Sequence, residues 1–306
     1  MAEKKKTSIG GQALLEGIMM RGPQRTAMAV RNPQGEIVLE EFPTQVSTRA
    51  KILKAPFVRG IFNMYDSLKQ GYRCLMRSAQ LAGLEEEEEK NEKSNKIVSA
   101  LIMPLAVVLA VALAVGLFMY LPSFLYKLLS GVLPALKGLR VAQSVFEGLF
   151  RIVIFVGYVY AISFMKDIRR TFMYHGAEHK TIFCYENGLP LTVENVRPQK
   201  RFHPRCGTSF LILVLLVGII IAIFIPTNIP IIARVLIKLA CIPLVVGIGY
   251  ELIKLAGRKD NWFTRIISAP GMWLQHLTTR EPDDSMIECA IAAMEKVIPG
   301  DDSDQW

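Results

Sequence analysis

The sequence predicts a mainly α-helical, multi-pass membrane protein with about four transmembrane helices and a cytoplasmic α+β unit that includes a small N-terminal β-rich segment. Three observations predict it. No charged residue occurs in the 30 positions of 97–126 or in the 28 positions of 206–233, and a helix needs about 20 apolar residues to cross a bilayer core. Two shorter apolar runs follow the same logic, 14 uncharged residues in 152–165 and 12 in 239–250. The basic residues are unevenly spread: with four crossings, 30 of the 36 Lys and Arg fall on one side, which the positive-inside rule makes cytoplasmic.

The spans are expected at about 97–121, 148–165, 208–226 and 235–253, within a membrane domain of 97–253. The second needs Arg151, and the fourth Arg234 and Lys238, to snorkel to the headgroups. The fourth also reads as half of a re-entrant hairpin with the third. Both termini are then cytoplasmic at a bacterial-type inner membrane. The stretch after Lys4, Lys5 and Lys6 is too polar and glycine-rich for a secretory h-region, so the first crossing is expected to act as the insertion signal. The formal net charge of +9 fits attraction of basic flanks to anionic lipid. No interleaved aromatic and basic motif points to nucleic acid. The partners expected are the lipid bilayer and a protein on the cytoplasmic face. Four of the five cysteines (Cys74, Cys184, Cys206 and Cys289) fall in cytoplasmic segments, where a disulfide framework is not expected.

Outside the membrane domain lie residues 1–96 and 254–306. Residues 8–42 read as β-rich, with strands at 26–31 and 36–42 joined by a turn at Asn32, Pro33, Gln34 and Gly35. Residues 57–82 read as a helix with mixed faces, carrying Phe57, Ile61, Met64, Tyr65, Leu68, Tyr72 and Leu75 at helical spacing and ending at Gly83. The acidic run 85–89 opens a solvated connector. Residues 166–187 are expected to continue the second span into the cytoplasm, followed by a proline-rich loop over 189–205. The tail reads as two helices. The first, 261–276, carries Trp262, Phe263, Ile266, Ile267 and Trp273 on an apolar side suited to an interface. The second, about 282–297, has Pro282 near its first position.

The string with most chemical content is His175-Gly176-Ala177-Glu178-His179. Residues four apart share a helix face, so both imidazoles reach one ion, and the glutamate of an H-x-x-E-H pattern serves as base on water. His203 and Cys206 follow in the same cytoplasmic loop, and the spacing suggests two ligand pairs meeting at one metal. Three readings stay open. An open catalytic zinc site would use Glu178 as base; a closed tetrahedron of His175, His179, His203 and Cys206 would be structural; or the histidines pack in a core. Zinc is the expected cofactor from its nitrogen and sulfur ligands, with other divalent transition metals fitting nearly as well. Glu251 is an optional distant ligand, but pairing with Lys254 or Arg258 is the simpler reading. Cys184, Met19 and Met20 read as packing residues and His276 as interfacial. No P-loop, dinucleotide fingerprint or GxSxG elbow is present.

GGQALLEGIMMRGP, YHGAEHKTIFCYENG, HPRCGTSF and LTTREPDD occur in that order over nearly the whole chain. Together they resemble the DUF1385 family of bacterial membrane proteins. The resemblance implies a metal-dependent enzyme, and it adds Glu16 and Arg21 as catalytic candidates because they stand inside one of these motifs. The expected function is therefore a zinc-dependent hydrolase at the cytoplasmic membrane face. The alternative is a non-enzymatic membrane scaffold or biogenesis factor whose metal is structural.

Overall fold

The computed structural model describes residues 6–44, 53, 55–84, 94–258 and 261–305. Most of the acidic connector lies outside them. The N-terminal segment forms a four-stranded antiparallel meander: β1 (Gly10–Leu14), β2 (Gly17–Arg21), β3 (Arg25–Arg31) and β4 (Ile37–Pro43). β3 and β4 match the expected strands. Their turn has Gly35 at φ 87°, and the Asn32 side chain accepts from the Glu36 amide at 2.8 Å. β1 and β2 were not foreseen individually, and the reason is burial on both faces. Ile18, Met20, Ala27 and Ala29 point into one core, while Leu14, Met19, Met28 and Val30 point into another. With both faces apolar, the polar–apolar alternation that marks a half-exposed strand disappears.

The first core is closed by two helices, α5 (Lys166–Glu186) and α11 (Asp284–Glu295), the second by α1 (Val58–Leu81). Asp283 caps α11 by accepting from the Met286 amide at 3.0 Å, so Pro282 stands just before the cap rather than inside the first turn. α1 turns its small residues inward, with Gly60, Gly71, Cys74 and Ser78 buried, and leaves Tyr65, Leu68 and Tyr72 outward.

The apolar region begins with α2 (Ser94–Val115), which runs through a π-helical turn, Gly116–Tyr120, into α3 (Leu121–Val132). Residues 104–132 form one apolar helix, long and apolar enough to cross a membrane, whose most apolar stretch is nowhere buried by the rest of the chain. α4 (Arg140–Ile162) is the second helix long and apolar enough to cross a membrane. α7 (Gly207–Ile223) is apolar but only 17 residues long, short of the expected third span. α8 (Ile231–Ala240) and α9 (Ile242–Arg258) replace the fourth span with a pair bent by 44°. By length and composition, two helices suffice to cross, or three if the bent pair is one span.

Two further expectations change. α5 does not continue α4: Ser163 and its neighbours break the helix, Met165 is extended, and α5 starts afresh at Lys166. Arg151, Arg234 and Lys238 do not snorkel. All three turn inward onto Glu147 of α4.

A short helix, α6 (Val193–Val196), interrupts the loop before α7, and α10 (Trp262–Thr278) packs against α7. The inward side of α10 is largely small and polar, with Thr264, Ser268, Gly271 and Gln275 buried beside a single large apolar residue, Leu274. Its outward side exposes Trp262, Phe263, Ile266 and Trp273. An apolar outer face with large aromatics is the pattern of a helix at a membrane interface.

The close approach of α5 to the chain before α11 yields a test. A Cβ on Gly176 would collide with the Arg280 carbonyl oxygen, part of a segment tied to α5 by the Arg280 amide bonding to the Phe172 carbonyl at 2.8 Å. Backbone cannot swing aside as a side chain does. Gly176→Ala should therefore destabilise the protein by about 1–3 kcal/mol, read as a lowered midpoint of thermal unfolding by circular dichroism. An unchanged midpoint would show that the two segments separate freely.

Candidate functional site

The buried stretch of α5 carries His175, Glu178 and His179 on the side facing β1, the 189–205 loop and the start of α7. A carbonyl oxygen only accepts, so the ring nitrogen facing it carries the proton. His175 Nδ1 donates to the Thr278 carbonyl at 2.8 Å, and His179 Nδ1 donates to the Arg201 carbonyl at 2.5 Å. Both Nε2 atoms are thereby left to face a common point. Cys206, the residue capping α7, brings its Sγ to 3.1 Å from His175 Nε2. His179 Nε2 is buried and has no hydrogen-bond partner among the described residues. One ligand atom each from His175, His179 and Cys206 lies within 4.8 Å of the others.

This arrangement fits a transition metal. Metal-binding histidines characteristically donate the second ring N–H to a carbonyl or carboxylate, which fixes the tautomer and the ring. Both histidines do so here. A buried ring nitrogen without a partner costs free energy in a packed interior unless something fills its lone pair. The thiol is suited to the same task. Burial pushes Cys206 up, but the charges of His175 and His179 and the His175 hydrogen bond outweigh it and hold the thiol well below its usual range. The Thr208 amide at the start of α7 also points at the sulfur, 3.4 Å away, and helix N-termini favour thiolates. Burial works against the charge on His175, yet Cys206 and then Glu178 raise its pKa to about 9.

Glu178 sits beside this cluster rather than in it. Burial raises its carboxyl above the ordinary range, opposed by His175 and His179, and the Gly11 amide bonds to it. Gly11 has to be glycine: a Cβ there would stand 2.7 Å from the Met19 carbonyl oxygen and 3.0 Å from the Glu178 carboxyl carbon. Glu178, His179, His203 and Cys206 line a cavity of about 110 Å³ walled by Gly10 and Gly11.

The other candidates lie elsewhere. His203 is beside the cluster, its ring 5.5 Å from that of His179, but it engages a separate pair. Its Nε2 is 3.8 Å from Glu186, whose carboxylate also binds Arg205, and its backbone is clamped by Gln275 at 2.7 and 2.8 Å. Glu16, at φ 51° in the β1–β2 turn, is held by both nitrogens of a fork from Arg170. Arg21 lines a different cleft of about 400 Å³, which shares only Ser8, Gly10 and Gly11 with the smaller cavity. Glu251 binds Arg59, not Lys254 or Arg258. Cys184 is buried and packed, and His276 is exposed, its ring stacked on Phe202. The residues that sequence reasoning missed are those that orient the site: Thr278, Gln275, Glu186 and Gly11. Only Gly11 left a signal, the paired glycines before β2.

The Glu186 cluster makes a pH-dependent prediction. Burial raises its carboxyl, but His203 and Arg205 outweigh this and hold it below the usual carboxylate range. A lowered folded pKa contributes stability above the unfolded value, near 4.3, and loses it as pH falls through the folded value. Glu186→Gln should cost about 1.5–3 kcal/mol at neutral pH. It should also flatten the loss of stability below about pH 4.3 seen with the native residue. Thermal unfolding across pH reads both, and an identical acid limb in the variant would refute the assignment.

Comparison with known proteins places the chain in context. The model of the family described as "Protein of unknown function (DUF1385)" matches residues 55–299. The "Uncharacterized protein YqhQ" of Bacillus subtilis (strain 168) is 36% identical over 298 residues, covering 94% of this chain and 92% of its own length. No solved structure matches. With a family match over most of its length and a relative of this similarity aligned nearly end to end, the chain belongs to the DUF1385 family.

Proposed function

We propose that this protein is a metal-dependent hydrolase working at a membrane face. The observation that carries the reading is the convergence of two histidine Nε2 atoms and one cysteine sulfur, with each imidazole's other nitrogen committed to a backbone carbonyl. His175, His179 and Cys206 would hold the ion, with zinc the natural choice for nitrogen and sulfur ligands. His203 is engaged by Glu186 and Gln275, which argues against the closed structural tetrahedron. Three protein ligands and an adjoining cavity fit a site that keeps a position open for water or substrate.

A zinc ion bound there supplies Lewis-acid chemistry and makes water acidic enough to react near neutral pH. The chain's own groups supply the rest. Glu178 accepts and returns a proton at its carboxylate oxygen, and its raised pKa suits that exchange. The Gly11 amide holds the carboxylate in place. Thr278 and Arg201 keep the imidazoles from rotating. Membrane location is supported by the apolar helix that starts at Gly207, one residue after Cys206, and by the exposed tryptophans of α10. The crowding of basic residues outside the apolar runs supports a cytoplasmic orientation.

Elemental analysis of the detergent-purified protein tests the reading. The native chain should carry about one equivalent of zinc, and His179→Ala and Cys206→Ser should each lose most of it. His203→Ala should retain it, which separates this ligand set from one that includes His203. Glu178→Gln should keep the metal and abolish turnover. A native protein devoid of metal after metal-replete growth sinks the proposal. If Cys206 then alkylates rapidly at mildly acidic pH, the His175–Cys206 pair acts as a thiolate nucleophile instead.

A further inference from the structure

A second polar cluster lies within the apolar helices, and its charges do not balance. Glu147 of α4 is fully buried and accepts from Ser123 at 2.9 Å, from Gln143 at 2.8 Å and from Lys238. Arg234 and Arg151 approach it at 3.5 and 3.8 Å. Three cations therefore share one carboxylate. Arg234 is 1% exposed, gives Nη1 to the carbonyls of Ile225 and Pro226 and turns Nε to Glu147, but its Nη2 is buried with no hydrogen-bond partner among the described residues. Arg151 spends Nε on the Phe118 carbonyl at 2.7 Å, and its buried Nη2 reaches no hydrogen bond among the described residues, only the 3.8 Å ion pair with Glu147. Guanidinium groups stay protonated in proteins, and an uncompensated buried charge is among the costliest features a fold can carry.

Beside this cluster lies a cavity of about 210 Å³. Arg151 and Lys238 form its polar end, and its walls are apolar, including Val214, Gly218, Ile221 and Val245. A liquid water occupies roughly 30 Å³, so the space is several waters in size, and most of its wall is apolar. It lies far from His175 and Cys206: Gly218 is about 18 Å along α7 from Cys206 at helical rise.

We propose that this cavity binds an amphiphile with one anionic head and an apolar chain. The head, a phosphate or a carboxylate, would meet Arg151 and Lys238, and the chain would lie against α7 and α9. A membrane phospholipid and a free fatty acid both have this chemistry. The proposal is independent of the metal site.

The test uses the full chain purified in a neutral detergent and incubated with dioleoyl phosphatidylglycerol, oleate or dioleoyl phosphatidylcholine. Lipid retained after gel filtration is extracted and quantified. About one phosphatidylglycerol or oleate per chain is expected, favoured at least about tenfold over phosphatidylcholine; which of the two is retained identifies the source. Arg151→Gln should lower retention by about tenfold. Gly218→Leu, where a glycine with no neighbour within 4 Å lines the cavity, fills the space without touching a charge and should do the same. If Arg151→Gln aggregates, Gly218→Leu carries the test alone. Circular dichroism and gel filtration monitor folding. Retention of phosphatidylcholine equal to that of the anionic lipids overturns the proposal, as does native retention in a folded Gly218→Leu. Release of the bound lipid by inorganic phosphate alone overturns the amphiphile, since the chain would then contribute nothing.

Discussion

Burying the polar side of α5 is the constraint on which the rest of the structure depends. A polar group taken from water without a partner costs about 1–3 kcal/mol, and α5 buries Glu178, His179, Lys180 and Thr181 in succession. The helix satisfies only one of these itself, Thr181 bonding to the Ala177 carbonyl at 2.9 Å. The others draw partners from distant parts of the chain. β1 supplies the Gly11 amide to Glu178, the loop before α7 supplies the Arg201 carbonyl to His179, and Lys180 takes the Arg197 carbonyl and Glu281. The sheet, the loop and the tail are gathered around α5 because each answers one of its polar groups. The exception is His179 Nε2, and an exception inside an otherwise satisfied network is where a ligand belongs.

What the sequence reveals and conceals follows from the range of each interaction. His175 and His179 were legible because helical spacing alone puts them on one face. Cys206 was legible from its place three residues after His203. His203 does line the same cavity, but its imidazole lies 3.8 Å from Glu186, which gave no sign of that role in the sequence. The β3–β4 hairpin announced itself through its turn, while β1 and β2 hid behind glycines and two-sided burial. Hydropathy found the apolar runs but misjudged their ends. It could not foresee that α8 and α9 would bend at Cys241. The snorkelling of Arg151 was misread even though Glu147 stands four residues earlier, a spacing at which helical side chains meet.

The amphipathic helices reverse the usual reading. In α1 and α10 the small and polar residues face inward and the aromatics face outward. Helices of a soluble domain point their largest apolar groups into the core. Here close packing is achieved with Gly60 against Tyr250 and Gly271 against Ser209, which lets backbones approach. The large aromatic side chains are left exposed on the outer side. The same inversion accounts for the exposed helix at 104–132.

The two ends of the described chain meet beside the candidate metal site. Thr7 pairs with Gln305 as an isolated bridge, its hydroxyl donates to Asp304, and its amide donates to Glu186 at the end of α5. Contacts of such sequence separation impose a timetable on biosynthesis. Chains emerge from the ribosome N-terminal end first, so Thr7 stays without its Asp304 partner until residue 304 has been made. Closing a loop of that length carries an entropic cost that only the finished chain can offset. A nascent chain halted anywhere in α11 would hold His175, His179 and Cys206 and still lack the Asp304 contacts to Thr7 and Tyr185.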